Sequence, residues 1–539
     1  MIFPLDIHSQ VTLRDSVISW QHHRFELNDD YGLQSYTTDD ADIQQVTFEG
    51  KVIENELIRL VLLPEYGGRV ISFFYKPTQH EYLYQSECGS PYGIGEGNFY
   101  YNWLMVYGGI FPTFPEPEHG KTWLLPWDFS IITESEDLVT LRMEYTDNQS
   151  YSGAPGSFNN GVTNITCQID VSVFKNSAVW DYDVKLINNN NAAVNYEYWT
   201  CTTLTPGSES GETESPLSSE IIVPVEQYFA AWSPNAWIGR QNSVYDFSRI
   251  NYLNEWNDMG IAYANELESS YWGVINHENE EGVFRISDNA ETKGMKIWTW
   301  GKNNIDNDMF DFSNGGADNY IELWGGTSRA FFEDATLAAN QVKSWSESYC
   351  ATTGMIGINE MNEYAAVNLI WDENESLLTY EINTFQVDQK YALELYMDDL
   401  NKVELLREDL SFDPMGHRGS ISLANSTFHF SENTVGLNLL NESGQNVLQT
   451  SKSISIQNVL GDKQFNSNLN VVDLGNYRLE IQLPKEDRYM IKVIGINGQL
   501  IKEQTFEESR YQLRVSNKGL YIIQVEGNHS LFTKKIVVH

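Results

Sequence analysis

Residues 54–85 read ENELIRLVLLPEYGGRVISFFYKPTQHEYLYQ. Apolar and polar side chains alternate, the chain turns over Pro64–Gly68, and a second alternating run follows, which is the signature of a β-hairpin. The pattern recurs in LVTLRMEYTD (138–147), NITCQIDVSVFKNSAVWDYDVKLINNN (164–190) and SYWGVINHENEEGVFRISD (270–288), with Asn- and Gly-rich turns between the runs. Long amphipathic helical patterns are scarce. The expected fold class is therefore all-β. A large antiparallel β-sandwich is expected over 11–354, an immunoglobulin-sized β-sandwich over 355–458, and a third small β domain over 459–539.

The chain has 539 residues and a formal net charge of -41. A field of that sign disfavours nucleic acid and anionic membranes as partners. It also disfavours a strongly carboxylated or sulfated ligand unless a local basic patch overrides the mean. Aromatic residues make up 13%, with 15 Trp and 30 Tyr; such rings stack on sugars, and they are also common strand formers. Cys88, Cys167, Cys201 and Cys350 lie far apart without CxxC spacing, so buried thiols are expected rather than a zinc site, with one or two disulfides as the alternative. No apolar run reaches the roughly 20 residues of a membrane-spanning helix. The opening MIFPLDIHSQ (1–10) reads as the remnant of a signal peptide.

The end of the chain predicts two hairpins, with turns at Asn497–Gly498 and Gly527–Asn528. The segments IGINGQLIKE (494–503), NKGLYIIQV (517–525) and TKKIVV (533–538) resemble the C-terminal sorting domain of the type IX secretion system. That resemblance implies the secretion machinery as a partner, and a location outside the cell or on the outer-membrane surface.

A second resemblance covers about 300 residues. The opening hairpin, with its Pro-rich turn and Gly-Gly-Arg, is similar to the first hairpins of galactose-mutarotase-like domains. VYGGIFPTFPEPEHGKTWLLPWDFSI (106–131) resembles the segment that aims a histidine into their sugar cleft. VKLINNNNAAVNYEYWTCTTLTPG (184–207) resembles the segment of a second cleft histidine. DNYIELWGGTSRAFFEDATLAANQVKSWSESY (318–349) resembles the strand of the general-base glutamate. The resemblance implies His119, Glu322 and Arg69 as catalytic candidates.

The residues support these candidates in their own right. Pro112, Pro115 and Pro117 suggest a stiff, non-sheet crossing that would hold His119 at the mouth of a cleft. The alternation Tyr320, Glu322, Trp324 would aim a carboxyl between two aromatics, where burial raises its pKa. Arg69 carries a guanidinium fork suited to a hydroxyl or carboxylate. Trp199, Trp324, Tyr320, Glu116, Trp123, Trp300 and His277 are candidate substrate contacts. Weaker candidates are Glu118, Arg285, Trp232, Trp237 and Trp298. Lys302 with Asp306, Asp308 and Asp311 suggests either a sugar platform or a calcium loop; no other metal or cofactor is expected.

One departure matters. Where the pattern has its second histidine, this chain carries Trp199 or Thr200. Simple epimerisation needs an acid and a base, so the expectation is a lyase or glycoside hydrolase acting on a polysaccharide or oligosaccharide. The alternatives are a non-catalytic glycan-binding protein and an aldose 1-epimerase.

Overall fold

A computed structural model describes the chain except residues 1–9, 28–32, 38–39, 87, 90–107, 116–119, 121, 123–124, 150–161, 212, 231–243, 247–249, 265, 304–318, 399–401, 425–431, 456–468, 484–487, 496–498, 528–529 and 539. The signal-peptide reading of residues 1–9 thus lies outside the described residues, as do the turn at Asn497–Gly498 and Asn528.

The opening hairpin forms as its alternation dictates. Ile58–Leu63 pairs antiparallel with Arg69–Tyr75, Leu63 opposite Arg69. The turn needs Gly67 and Gly68 at positive φ, and a Cβ on Gly68 would press on the Trp127 ring at 2.6 Å. These strands join a thirteen-stranded sheet that runs from Cys88–Gly89, Thr12–His23 and Ile43–Glu54 on one side to Gly260–Ala264, Gln227–Ala230 and Val244–Asp246 on the other. An eight-stranded sheet, centred on Ile165–Phe174, Val179–Asn188 and Val342–Thr352, packs against it. The protein is all-β; among the described residues the helical pieces are 3-10 turns such as Asp40–Asp42 and Leu253–Glu255.

Between the two sheets lies one large apolar core. It draws Leu60, Leu62, Val70 and Phe73 from the first sheet and Ile169, Val171, Trp180 and Tyr182 from the second, with Phe73 edge-on to Trp180 at 5.7 Å. The four cysteines are buried, with no disulfide among the described residues.

Two small β-sandwiches follow. The first packs two four-stranded sheets around Leu369, Ile382, Leu393, Leu395 and Leu437. It docks on the large sandwich through Ala178 N to Phe385 O (2.9 Å), Val387 N to Asn176 O (2.8 Å) and Arg418 to Glu280 (2.8 Å). Met355, Met361, Ala366 and Phe385 enter the large core itself. The last sandwich packs a three-stranded and a four-stranded sheet around Leu479, Ile491, Val493 and Ile523.

One sequence expectation needs correcting. Pro112 does not sit in a non-sheet crossing. Ile110–Thr113 is a strand that pairs with Trp199–Thr202, Pro112 opposite Thr200. On its other side it meets the sheet only at Ile110, opposite Val70. A proline is tolerated there because its missing N–H falls where the second ladder has ended.

Candidate functional site

Strand alternation gives the large sheet a second, outer face. On Trp199–Ser208, Thr200 and Thr202 turn inward; Trp199, Cys201 and Thr203 turn outward. Register then builds rows across the outer face. Thr203 lies opposite Glu322 and Glu322 opposite Trp298; Cys201 lies opposite Trp324 and Trp324 opposite Lys296. An aromatic cluster results: Tyr84, Phe111, Trp199, Tyr263, Trp298, Trp300, Tyr320, Trp324 and Phe331. Tyr84 stacks on Tyr320 at 4.2 Å, and Trp298 meets Trp300 edge-on at 4.8 Å.

Glu322 is the carboxyl in this apolar setting, 6% exposed. Trp324 Nε1 donates to its Oε2 at 2.8 Å, and Lys296 Nζ stands 3.7 Å from the same oxygen. That ammonium also lies 3.5 Å from the Trp324 ring centre. Burial pushes the Glu322 carboxyl above its ordinary value, and the attraction of Lys296 only partly offsets this. Burial and the Glu322 charge push the Cys201 thiol well up.

Arg69 is fully buried. Its Nε donates to Tyr66 O at 2.8 Å and one terminal nitrogen to Gly108 O at 3.2 Å, with its plane 4.4 Å from the Phe111 ring centre. The guanidinium thus braces the hairpin turn against the Gly108 segment. Gly109, at φ 87°, brings that segment against the sheet: a Cβ there would sit 2.3 Å from Val70 O.

The remaining candidates separate clearly. Tyr320, Trp324, Trp199 and Trp300 belong to one buried cluster on the outer face, and Trp324 bonds Glu322. Thr200 instead points into the sandwich and bonds Glu347 Oε1 at 2.9 Å, so Trp199 is the residue on the outer face at that position. His277 stands elsewhere, on the edge of the eight-stranded sheet, with its Nε2 2.8 Å from Glu220. Arg285 is buried between the sheets and bonds Glu347 at 2.8 Å. Lys302 bonds Asn254 O at 2.7 Å. His119, Glu116, Glu118, Trp123, Trp232, Trp237, Asp306, Asp308 and Asp311 lie outside the described residues.

Two residues emerge that sequence reasoning passed over. Lys296 was legible in the alternation Lys296, Trp298, Trp300, which places a cation on the aromatic face. Glu197 had no such signal. It is wholly buried, its N–H donates to Pro115 O at 2.6 Å, and Trp199 Nε1 donates to its Oε2 at 3.3 Å. Burial pushes its carboxyl up to about 8 despite the Trp199 bond. From about pH 4.5 to 8 the folded state therefore keeps a proton that the unfolded chain releases. Stability falls as pH rises through that window, by at most about 1.4 kcal/mol per pH unit. Glu197→Gln should remove that slope, so urea unfolding of the two proteins should diverge steadily from pH 5 to pH 8; a constant difference would refute the assignment.

Trp199 lies flat across backbone. A Cβ on Gly326 would meet its ring at 2.2 Å, and one on Gly294 at 2.6 Å. Gly326→Ala should destabilise the large sandwich by about 1–3 kcal/mol through overpacking. Its unfolding midpoint in urea reports this, and an unchanged midpoint would mean the ring is free to move.

Comparison with known proteins bears on both ends of the chain. Residues 475–539 match the family model of the secretion system C-terminal sorting domain. The tail is a type IX sorting domain. The sorting domain directs the chain to the secretion machinery and so to the cell surface or extracellular space. About two thirds of the chain resembles a solved structure in fold. A TPR-domain containing protein from Parabacteroides distasonis aligns at 15% identity and a TM-score of 0.53, over 66% of this chain; the chain spans 57% of that protein's length. A galactose mutarotase-like protein from Clostridium acetobutylicum aligns at 10% identity, TM-score 0.42, over 64% of this chain and 98% of the other. A galactose mutarotase related enzyme from Lactobacillus acidophilus aligns at 10%, TM-score 0.38, over 58% and 100%.

Proposed function

We propose that this secreted protein is a carbohydrate-active enzyme that cleaves a polysaccharide or oligosaccharide, as a lyase or a glycoside hydrolase, on the outer face of its large sheet. The observation that carries this is Glu322: a carboxyl raised by burial, held by Trp324 Nε1 and Lys296, amid aromatic rings. Breaking a glycosidic C–O bond, by elimination or by hydrolysis, requires a proton on the departing oxygen. A neutral Glu322 can donate it, and the carboxylate left behind is stabilised by Lys296. Lys296 supplies positive charge next to Glu322 within an acidic chain.

The test is turnover of the purified chain on a panel of plant and marine polysaccharides. Ultraviolet absorbance of an unsaturated uronate reports a lyase, and new reducing ends without it report a hydrolase. Neither signal on any polymer that the protein binds would leave the second reading.

That second reading is a non-catalytic glycan-binding protein. It is favoured by Trp199, a side chain without acid–base chemistry, on the outer face where the mutarotase resemblance expects a histidine. The same replacement disfavours an aldose 1-epimerase, which polarimetry with a single sugar anomer would detect.

A further inference from the structure

A cavity of about 770 Å³ opens on the outer face of the large sheet, lined among others by Arg14, Trp20, Arg59, Ser72, Glu81 and Gln85. Its size falls within the roughly 300–1,000 Å³ typical of small-ligand pockets. Register explains its floor. Arg14 lies opposite Val52, Val52 opposite Val61, and Val61 opposite Ser72; in the next row Glu54 lies opposite Arg59, Arg59 opposite Phe74, and Phe74 opposite Glu81. Both rows face outward, as Tyr84 does at the edge of the aromatic cluster.

Arg59 is the unusual member. Its guanidinium stacks on Phe74, 4.2 Å from the ring centre, and among the described residues it has no ion pair or hydrogen bond. The chain carries 75 acidic side chains against 34 basic ones, so an unpaired, half-buried cation is out of keeping. The nearby carboxylates are already engaged. Glu81 accepts from Ser72 Oγ at 2.6 Å and Phe73 N at 2.7 Å. Glu54 takes Arg14 at 3.3 Å and Lys76 at 2.8 Å. The pocket thus presents a guanidinium whose counter-ion the protein does not supply. Trp20 lines another part of the pocket, half-buried and fixed by its Nε1 on Ser86 O at 2.8 Å, with serine and glutamine side chains around.

We propose that this pocket binds an anionic sugar unit, a ring bearing a carboxylate or a sulfate ester, with Arg59 as the fork that takes the oxyanion. The inference rests on the glycan reading above for the polymer, and on Arg59 for the anion. It names the substrate class as an acidic glycan. A guanidinium matches either oxyanion by paired hydrogen bonds.

Calorimetric titration of the full chain with an oligogalacturonate, a sulfated galactan oligosaccharide, a neutral galactan oligosaccharide and sodium sulfate tests this. At least one acidic saccharide should bind more tightly than the neutral one, and Arg59→Gln should weaken it about tenfold. Arg59→Lys should restore part of the loss, and both variants should keep the wild-type circular dichroism. Binding of the uronate alone assigns a carboxylate; binding of the sulfated sugar alone assigns a sulfate ester. The proposal is overturned if neither acidic saccharide binds, if neutral and acidic ones bind alike, if Arg59→Gln binds as wild type, or if sulfate ion alone binds as tightly as the saccharide. The two readings fail separately. Turnover unaffected by Glu322→Gln, with Arg59-dependent binding intact, removes the catalytic role and leaves the pocket; Glu322-dependent turnover without Arg59-dependent binding does the reverse.

Discussion

Glu322→Gln should lower turnover of the responsive glycan by about 10²–10⁴-fold, the usual contribution of a positioned proton donor. The amide keeps the shape and can still accept from Trp324 Nε1, so the fold should survive and binding should change little. What disappears is the transferable proton. Because burial holds the wild-type carboxyl above its ordinary value, the neutral donor persists to higher pH than for an exposed glutamate. Wild-type kcat should therefore fall as pH rises through that raised value, and the residual activity of the variant should lack this basic limb. Rate–pH profiles of both proteins check the assignment. An active variant with the wild-type profile would end the role given to Glu322.

Glu347→Ala should destabilise the large sandwich by about 3–5 kcal/mol. Glu347 is fully buried between the sheets and accepts from Arg285 Nε at 2.8 Å, Thr200 Oγ1 at 2.9 Å, Trp345 Nε1 at 2.9 Å and Tyr349 OH at 2.9 Å. Burial opposes its charge, yet Arg285 and the donors together hold the carboxyl below its ordinary range. Removing it leaves Arg285, itself buried, without its counter-ion. The paired change Arg285→Met with Glu347→Leu replaces both charges by apolar volume and should cost far less than the single one. Denaturant unfolding monitored by tryptophan fluorescence reads this difference. Equal losses in the single and double variants would mean that packing, not charge pairing, dominates.

These cases show how far the sequence could be read. The β class, the hairpin at Pro64–Gly68 and the face shared by Tyr320, Glu322 and Trp324 follow from a period of two, a local property. Arg69, Arg285 and Arg59 show the limit. Each sits in an alternating strand with similar neighbours, yet one bonds backbone carbonyls, one pairs inside the core, and one lies unpaired in a pocket. Lys296 could have been found in its alternation, but its partners Glu322 and Trp324 come from another strand; Glu197 carries no local signal, because its burial is set by packing.

By itself the sequence determined the all-β class and a sorting tail, expected over 459–539 and matched by the family model over 475–539, because alternation and short terminal motifs are written in neighbouring residues. Only the tertiary structure decided which side of each strand is interior. Both faces of the large sheet carry large apolar residues, so alternation defines two faces without ranking them. The choice between Thr200 inward and Trp199 outward is made when two sheets close on one core, and strands far apart in the chain settle their register together.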